Sequence, residues 1–496
     1  MNTLQFKIKV IALLALVTLS LGSCEKKFLD VSPDNRTKIN TVQKVAQLTG
    51  TAYPTADYLT FTEAASDNSE DKGPGIGEVN DLITTYYTWQ DYPGAETNSA
   101  GNYWNGCYEA IAAANQALES IEKGIEKGYF TAEEVAPFKG EALVGRAYAH
   151  HMLAIFFAKA YEIDGDNSSP GIPYVTKPET VLLAKYTRGT VQSTYDNIEK
   201  DLEAGIKLID DSKYKVPAYH FTKAAAHAFA SRFYLFKGEW KKVIKHATAV
   251  VPSGDWKSQL RPIAGKWKEE GSGQFHIDFS KSDVKSTLLL TSCYSTYQRI
   301  YKTPRYGYGS KLVKMFSESN VTGKQLANFI LSYSLPNYTT YKWREFFYYA
   351  TATTGFPYLP VVLLSVDETL MNRAEAYAEL GKYNLALQDI NTFYSVRINN
   401  YNPSTDAVTL QKIEDFYGIS DPKEGIIKTI LDAKKAAFMQ EGIRWMDLVR
   451  LHLPVRKNLY SPTGVESFIE LKPDDPRRVF QIPEETKLAG IKLNPR

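Results

Sequence analysis

Apolar residues recur with helical spacing on both sides of Gly381, between residues 367 and 394. Before the glycine the periodic positions are Leu370, Ala374 and Tyr377, and after it they are Tyr383, Ala386, Leu387, Ile390 and Tyr394. Spacings of three and four residues place these side chains on one face of a helix, and a glycine between two such runs is typical of a turn. The pattern predicts two amphipathic helices that pack as a hairpin.

A second stretch, from Thr222 to Val251, repeats this arrangement. It carries Tyr234, Gly238 and Trp240 at the same spacing as the two tyrosines and the glycine of the first hairpin. Each stretch resembles a tetratricopeptide unit, and one such hairpin cannot bury its own apolar face. Two copies therefore predict a scaffold of stacked helix pairs.

Helices are predicted along most of residues 104–251 and 366–451, where apolar stripes recur. Two other segments, 53–103 and 252–360, lack a sustained helical period and are rich in Gly, Asn, Asp and aromatic residues. We expect these segments to form ordered loops on the helical scaffold. Long ordered loops on a rigid scaffold are frequent binding sites, so we expect the ligand to bind there.

Residues 1–23 are predicted to be a lipoprotein signal peptide. A basic start precedes an apolar run, residues 10–21, that is too short to span a bilayer core of about 30 Å. Leu21-Gly22-Ser23 directly before Cys24 resembles a bacterial lipobox. Cleavage there and acylation of Cys24 would leave residues 24–496 as a single lipid-anchored domain. An ordinary secretory peptide followed by a chance cysteine is the alternative.

The chain has 496 residues and a net charge of +2, with 58 Lys and Arg against 56 Asp and Glu. This balance argues against a nucleic-acid-binding protein, because such proteins usually carry a basic surface. The 33 tyrosines exceed what a core requires and suit surfaces that bind amphipathic ligands. Besides Cys24 the chain contains Cys107 and Cys293, and the sequence leaves open whether these two pair.

The common catalytic and cofactor signatures are absent. There is no HExxH, CxxC pair, P-loop or GxSxG, and the GPGIG run at 73–77 is not a dinucleotide-binding GxGxxG. His150 and His151 are adjacent on a helix, which is typical of core or surface histidines. Asp164 and Asp166 have the oxygen ligands that calcium prefers, but without the Glu of an EF-hand loop they indicate a surface turn. We predict no enzyme, metal or cofactor, although the two carboxylates of a glycosidase need no fixed sequence spacing.

Aromatic residues beside amides and acids are the remaining chemical signal. A sugar stacks its flat apolar face on Trp or Tyr, while Asn, Asp and Arg satisfy its hydroxyl groups. The candidate ligand-binding residues are Trp89, Asp91, Tyr92, Asn98 and Asn102 in the first loop-rich segment, and Trp267, Tyr297 and Tyr306 in the second. Burial in the core is the competing interpretation for each aromatic residue. If Trp89 and Tyr92 bind ligand, their replacement by alanine should weaken binding and leave thermal stability nearly unchanged.

Several short motifs follow one another along nearly the whole chain. In addition to the lipobox they are Phe28-Leu29-Asp30, Arg146-Ala147-Tyr148, Gly171-Ile172-Pro173, Thr222-Lys223-Ala224-Ala225, Arg373-Ala374-Glu375-Ala376 and Glu441-Gly442-x-Arg444-Trp445. Their order and spacing resemble those of the SusD/RagB family of outer-membrane nutrient-binding lipoproteins of Bacteroidetes. The resemblance implies a mostly α fold, in which tetratricopeptide-type helix pairs form an α/α superhelix with loop-rich ligand-binding excursions and few short strands.

Proteins of this family cover a SusC-like TonB-dependent transporter and pass it glycans, or peptides in some branches. The resemblance therefore implies a lipid-anchored protein of the outer membrane, exposed at the cell surface, that binds an oligosaccharide. Peptide or other nutrient cargo, a helical glycoside hydrolase, and a structural protein whose helical groove binds a partner are the alternatives. We interpret Glu441, Arg444, Asp447 and Arg450 as a structural charge network outside the binding site.

Overall fold

Helices make up most of the regular structure in the computed structural model, which describes residues 38–181, 184–340 and 342–496. Cys24 and the predicted signal peptide lie outside these residues. In the first half of the chain the helices are α1 (Val42–Thr49), α2 (Leu59–Ala65), α3 (Asp81–Tyr87), α4 (Ala100–Glu126), α5 (Ala132–Phe157), α6 (Val191–Ile206), α7 (Lys223–Lys237) and α8 (Trp240–Val250). In the second half they are α9 (Lys268–Asp278), α10 (Tyr297–Ile300), α11 (Ser310–Ser317), α12 (Val366–Glu379), α13 (Tyr383–Tyr394), α14 (Pro403–Asp406), α15 (Leu410–Tyr417), α16 (Pro422–Ala437) and α17 (Ile443–Arg450).

The strands form small antiparallel sheets beside this scaffold. They are β1 (Glu70–Asp71), β2 (Thr287–Tyr294), β3 (Tyr306–Gly307), β4 (Leu331–Ser332), β5 (Tyr338–Thr339), β6 (Phe346–Tyr349), β7 (Gly355–Ser365), β8 (Val455–Tyr460) and β9 (Glu466–Leu471). Strand β1 pairs with β3, β4 with β5 and β8 with β9, while β7 lies between β2 and β6. The prediction of a mostly α fold with few short strands is confirmed.

Both predicted hairpins have a glycine in the left-handed conformation between their helices. Gly238 follows α7 with a φ of 71°, and Gly381 precedes α13 with a φ of 69°. Glycine adopts this conformation without the steric cost that a Cβ imposes, which makes it the usual residue after a helix end. The two hairpins are in contact, because α12 packs against α8 as well as against α13.

Some regular elements in the two loop-rich segments were not predicted. All seven residues of α2 are buried, so no alternation between apolar and polar positions marks this helix in the sequence. Strand β7 is likewise buried over most of its length and reads as a continuous apolar run. The expectation of loops throughout residues 53–103 and 252–360 was therefore too simple, since helices and a three-stranded sheet lie within them.

Close contact between α5 and α6 depends on a pair of glycines. A Cβ added to Gly140 would lie 2.7 Å from the carbonyl oxygen of Gly205, and a Cβ added to Gly205 would lie 2.7 Å from that of Gly140. The same interface contains a buried ion pair, in which Arg146 of α5 donates to both carboxylate oxygens of Asp201 of α6 at 2.7 and 2.8 Å. Small residues and one oriented charge pair therefore set the separation of the two helices.

Further buried ion pairs join helices that are distant in sequence. Arg232 of α7 donates to both carboxylate oxygens of Glu368 of α12, at 2.6 and 2.5 Å. Arg450 of α17 likewise donates to both oxygens of Glu375 of α12, at 2.6 and 2.7 Å. The other residues predicted as a structural charge network also have ionic partners: Asp447 with Lys434, Arg444 with Asp67, and Glu441 with Lys342.

We expect Gly140→Ala to destabilise the protein although alanine is the better helix former. Alanine in an open helix position gains about 1 kcal/mol over glycine. Overpacking a tight interface costs about 1–3 kcal/mol, so the free energy of unfolding should fall by up to about 2 kcal/mol. Urea denaturation would measure the change. Gly273→Ala is the matched control because a Cβ there meets nothing within 4 Å. Equal stability of Gly140→Ala and the natural protein would contradict the close approach of α5 and α6.

Candidate functional site

The two loop-rich segments meet the C-terminal hairpin β8–β9 at a cleft of about 530 Å³. We call it the loop-rich cleft; its lining residues include Glu70, Lys72, Lys311, Arg456, Tyr460, Glu466 and Phe468. Ligand pockets in proteins generally measure about 300–1,000 Å³, so the cleft has the size of a small-ligand site. It combines aromatic rings with charged groups of both signs.

Polar contacts hold the three parts of the cleft together. Asp71 of β1 receives two hydrogen bonds from the guanidinium of Arg305, both at 2.8 Å, and a third from the backbone N–H of Tyr460 at 2.7 Å. Lys72 donates from Nζ to the side-chain oxygen of Asn337 at 2.5 Å. Segment 53–103 is thereby fixed both to segment 252–360, which we call the insertion, and to the hairpin, so the protein's own contacts position the lining side chains.

The hairpin supplies the most exposed aromatic ring of the cleft. Phe468 is 52% exposed, and the guanidinium of Arg456 lies over its ring at 3.8 Å from the centroid. Tyr460 and Glu466 face one another as a strand pair in the same hairpin. An accessible ring can stack on the apolar face of a sugar, and the neighbouring charged groups can bind its hydroxyls.

Lys72 is the lining residue with the most distinctive electrostatics. Partial burial lowers the pKa of its ammonium group to about 8, and the nearby carboxylate of Glu70 opposes this shift. Burial also lowers the pKa of Lys311. The positive charge of the cleft is therefore sensitive to pH just above neutrality.

Trp89 and Tyr306, two of the predicted ligand-binding residues, lie in the interior next to the cleft. Trp89 is 4% exposed, and its indole N–H donates to the carbonyl oxygen of Ala65 at 2.9 Å. The ring of Tyr306 is buried against Tyr87, with their centroids 4.6 Å apart. Lys457 of β8 extends over the rings of both Tyr87 and Trp89. These aromatic residues support the cleft from inside and do not present a ring to it.

Asn98, Trp267 and Tyr297 are also buried and have protein partners. Asn98 donates to Ser295 at 3.1 Å and accepts from the backbone N–H of Thr296 at 3.0 Å, which ties its loop to the insertion. The Tyr297 hydroxyl hydrogen-bonds to that of Tyr308, and Trp267 packs edge-on against Phe275. Ligand contact by these three residues stays a prediction, and their burial favours the competing core interpretation.

Asp91, Tyr92 and Asn102 are the predicted residues that solvent reaches. Asp91 forms an ion pair with Arg496 at 2.6 Å, and the Tyr92 hydroxyl donates to Glu96. Asn102 lies in the first turn of α4. These three are not among the described residues that line the loop-rich cleft. The structure therefore brings Trp89 and Tyr306 to the base of the cleft but leaves the exposed members of the predicted set elsewhere.

Sequence reasoning missed the contribution of the β8–β9 hairpin. The runs VRKNLY and ESFIEL flank the turn SPTGV, a combination that is typical of a β-hairpin. This pattern predicts that Arg456, Tyr460 and Phe468 lie on two paired antiparallel strands. Only the folded chain shows that the hairpin closes against residues 70–72, almost 400 positions earlier.

A second exposed surface lies on the sheet β2–β7–β6, and we call it the aromatic face. The strand register places Tyr294, Tyr358 and Phe346 in one row and Phe356 and Tyr348 in the next, all on the same side of the sheet. Tyr348, Phe356 and Tyr294 are each more than half exposed. This surface is flat and largely apolar, whereas the loop-rich cleft is concave and offers charged partners.

The histidines, cysteines and aspartates noted in the sequence occupy structural positions. Burial lowers the pKa of His150 and of His151 to about 3, so both are neutral core side chains. Cys107 and Cys293 are separate buried thiols. Asp166 accepts hydrogen bonds from Ser168, and the described part of the chain contains no cluster of three or more His, Cys, Asp or Glu placed to hold a metal ion. In the same part of the chain, every helix is too short or too polar to cross a membrane.

We expect Trp89→Ala to lower thermal stability strongly, in contrast to the unchanged stability expected from sequence. The substitution leaves a cavity and an unpaired Ala65 carbonyl, and truncation of a buried tryptophan typically costs about 3–5 kcal/mol. Differential scanning calorimetry would measure the loss. Tyr92→Ala, at a half-buried surface position, is the control and should change stability much less. A Trp89→Ala protein as stable as the Tyr92→Ala protein would show that the indole is not a core group.

We expect the Lys72 ammonium to titrate with a midpoint near pH 8, well below the ordinary lysine value of 10.5. A cation with a lowered pKa keeps its proton below that pH and loses it above. NMR of ¹³C-methylated lysines would give the midpoint, and Lys72→Met would identify the signal. Glu70→Gln should lower the midpoint further because the opposing carboxylate is gone. A midpoint near 10.5 would contradict the burial of Lys72.

Family comparisons agree with this architecture over most of the chain. The family model described as starch-binding associating with outer membrane (SusD-like_3) matches residues 27–235, and the model described as SusD family (SusD_RagB) matches residues 285–487. SusD-like protein P38 of Formosa agariphila is 22% identical to this chain, over 90% of this chain and 93% of that protein.

Solved structures show the same fold. A SusD superfamily protein from Bacteroides thetaiotaomicron is 17% identical, with a TM-score of 0.65 over 92% of this chain and 100% of that one. A SusD-like carbohydrate binding protein from Bacteroides vulgatus is 14% identical, with a TM-score of 0.64 over 90% of this chain and 96% of that one. The two family models together span the helical scaffold, much of the insertion and the C-terminal hairpin, and this chain belongs to the SusD family.

Proposed function

We propose that this protein captures an oligosaccharide in the loop-rich cleft and passes it to a SusC-like TonB-dependent transporter of the outer membrane. The observation that carries the proposal is the half-exposed Phe468 ring, backed by Arg456, within a cleft of about 530 Å³. The family description, starch-binding and associating with outer membrane, supports a sugar ligand and this location. So does the carbohydrate-binding relative of the same fold.

The chemistry of the cleft suits capture of a sugar chain. Phe468 provides a face for one sugar ring, and Tyr460 borders the same hairpin. Lys72, Arg456 and Glu466 provide donors and acceptors for hydroxyl groups. Because the cleft carries charges of both signs, we propose a neutral or weakly charged oligosaccharide as the cargo.

We propose binding without hydrolysis. A retaining glycosidase needs two carboxyl groups about 5–5.5 Å apart, one of them free to give up a proton. In the cleft, Glu70 accepts hydrogen bonds from the backbone N–H of Lys311 and from the hydroxyl of Ser310, and Asp71 is held by Arg305. Two of the three carboxylates that line the cleft are therefore committed to holding the loops together, and Glu466 alone does not make a catalytic pair, which favours a binding role.

The anchor and the partner complete the proposal. The lipobox before Cys24 supports attachment to the outer membrane by lipid, with the binding surface exposed outside the cell. Family membership supports a SusC-like transporter as the partner that receives the cargo. A peptide is the second candidate cargo, because paired charges and an aromatic ring also suit peptide termini and side chains.

We expect Phe468→Ala to weaken oligosaccharide binding by at least about tenfold, or ~1.4 kcal/mol, with little change in thermal stability. Calorimetric titration against plant, host-mucin and microbial oligosaccharides and a peptide pool would identify the cargo and measure the loss. Phe416→Ala is the matched control, since Phe416 is 49% exposed on α15 and does not line the cleft.

A third variant tests the location of the site. Tyr348→Ala removes an exposed ring from the aromatic face and should leave binding unchanged. Loss of binding in Tyr348→Ala but not in Phe468→Ala would move the site to the aromatic face.

A peptide response without a glycan response would replace the proposed cargo. Product release from a polysaccharide would overturn the binding role, and failure of a TonB-dependent transporter to co-purify from native membranes would overturn the partnership.

A further inference from the structure

Arg261, at the start of the insertion, is buried with one edge of its guanidinium unpartnered. Its side chain is 2% exposed, and none of the described residues accepts a hydrogen bond from its Nε or Nη2. The third nitrogen, Nη1, lies 3.8 Å from a carboxylate oxygen of Glu441. A buried charged donor without an acceptor is destabilising, so this edge requires an explanation.

Other arginines of this protein place a carboxylate against the same edge. In each case Nε and Nη2 donate to the two oxygens of one carboxylate: Arg146 to Asp201, Arg232 to Glu368, Arg373 to Asp389 and Arg444 to Asp67. The planar fork of a guanidinium matches the two oxygens of a carboxylate, which makes this the preferred partner. The open edge of Arg261 thus has the geometry that a carboxylate fills elsewhere in the chain.

A small pocket is lined in part by the Arg261 side chain, and we call it the Arg261 pocket. Its lining includes Arg261, Thr340 and Lys342 on the polar side and Phe275, Phe279 and Phe329 on the apolar side. The hydroxyl of Thr340 is buried and has no hydrogen-bond partner among the described residues. Two residues with unused donors therefore border one pocket whose remaining lining is largely apolar.

The volume of the Arg261 pocket limits what it can hold. It measures about 50 Å³. A water molecule needs at least about 10–15 Å³, whereas drug-sized ligands occupy pockets of about 300 Å³ or more. The pocket therefore fits an ion of a few heavy atoms and is too small for a sugar ring. Solvent reaches its rim, where Ile263, Asn328 and Ala437 are only partly buried.

Among the buried charges around the pocket, Arg261 lacks a carboxylate at hydrogen-bond distance. Arg261, Lys342 and Arg397 are all buried, and the first two share the ring of Phe279 as a cation–π partner. Asp367 pairs with Arg397, and Glu441 pairs with Lys342 at 2.6 Å. Arg397 and Lys342 thus each have a carboxylate at hydrogen-bond distance, whereas Arg261 has only the Glu441 oxygen at 3.8 Å, so an additional anion beside Arg261 would be electrostatically favourable.

Glu63 is a third buried carboxyl near Lys342, but it has other partners. It accepts hydrogen bonds from Tyr308 at 2.8 Å and from the backbone N–H of Gly442 at 3.2 Å. Burial raises the pKa of Glu63, and the hydrogen bonds that it accepts oppose this shift. Glu63 does not line the Arg261 pocket and leaves the edge of Arg261 open.

We propose that the Arg261 pocket binds a small carboxylate ion of the size of acetate or propionate. Its two oxygens accept from Nε and Nη2 of Arg261, and one also accepts from the hydroxyl of Thr340. Its apolar end contacts the phenylalanine rings. The bound ion compensates the buried charge where the insertion, which carries Arg261 and Thr340, meets Arg397 of the helical scaffold. This site is separate from the loop-rich cleft and does not depend on the function proposed there.

Thermal denaturation and calorimetric titration of the purified full chain test the proposal. At constant ionic strength, sodium acetate and propionate should raise Tm in a saturable way, because a ligand that binds only the folded state stabilises it. Sodium gluconate should not, since its hydroxyl groups would lose their hydrogen bonds to water against the phenylalanine rings. Hexanoate tests whether the carboxylate belongs to a free small acid or is the end group of a longer ligand. If hexanoate binds as tightly as acetate, the pocket accepts the end group of a longer ligand. If hexanoate binds more weakly than acetate, the ligand is a free small acid.

Variants connect the effect to the pocket. Arg261→Met should abolish the acetate-dependent rise in Tm, and Thr340→Val should weaken acetate binding about tenfold by removing one hydrogen bond to a charged group. Arg344→Met is the matched control, because Arg344 is an exposed arginine of the insertion. If Arg261→Met does not fold, Thr340→Val decides alone. Equal acetate binding by Thr340→Val and the natural protein, or an equal response to gluconate or chloride, would overturn the proposal.

Discussion

Buried arginine–carboxylate pairs between helices are the constraint on which this fold depends. Arg232 illustrates their role, because it joins α7 to Glu368 of α12 and also donates to the carbonyl oxygen of Leu363 in β7 at 2.7 Å. Removing one partner of such a pair leaves an unpaired buried charge, which typically costs about 3–5 kcal/mol. Each pair is satisfied in only one relative position of its helices, and together they fix the register of a scaffold whose apolar faces alone would tolerate sliding.

The loop-rich cleft extends the same principle to segments without long regular structure. Asp71 is held by Arg305 from the insertion and by the backbone of Tyr460 from the C-terminal hairpin. The buried side-chain nitrogen of Lys457 donates to the carbonyl oxygens of Ala64 and Tyr87. Directed polar contacts therefore place the lining residues, so the surface of the cleft is organised by the protein's own contacts.

Local spacing in the sequence was sufficient wherever one face of a helix is apolar and the other is not. The hairpins around Gly238 and Gly381 could be predicted because spacing and glycine placement are local properties. Helix α2 could not, since all of its residues are buried and no periodic contrast remains. Trp89 shows the same limit for the site. A tryptophan in a polar loop is predicted to bind ligand, whereas the indole N–H of Trp89 donates a hydrogen bond to the carbonyl oxygen of Ala65.

By itself, the sequence determined the helical repeat scaffold, the family and two of the three segments that line the loop-rich cleft, because periodicity, glycine turns and ordered motifs are encoded along the chain. Only the tertiary structure decided which side chains line the cleft. Phe468 and Lys72 lie almost 400 positions apart, and no local rule relates them. Burial and hydrogen-bond partners depend on every element packed around a residue. The same reason explains why the open edge of Arg261 becomes visible only in the folded protein.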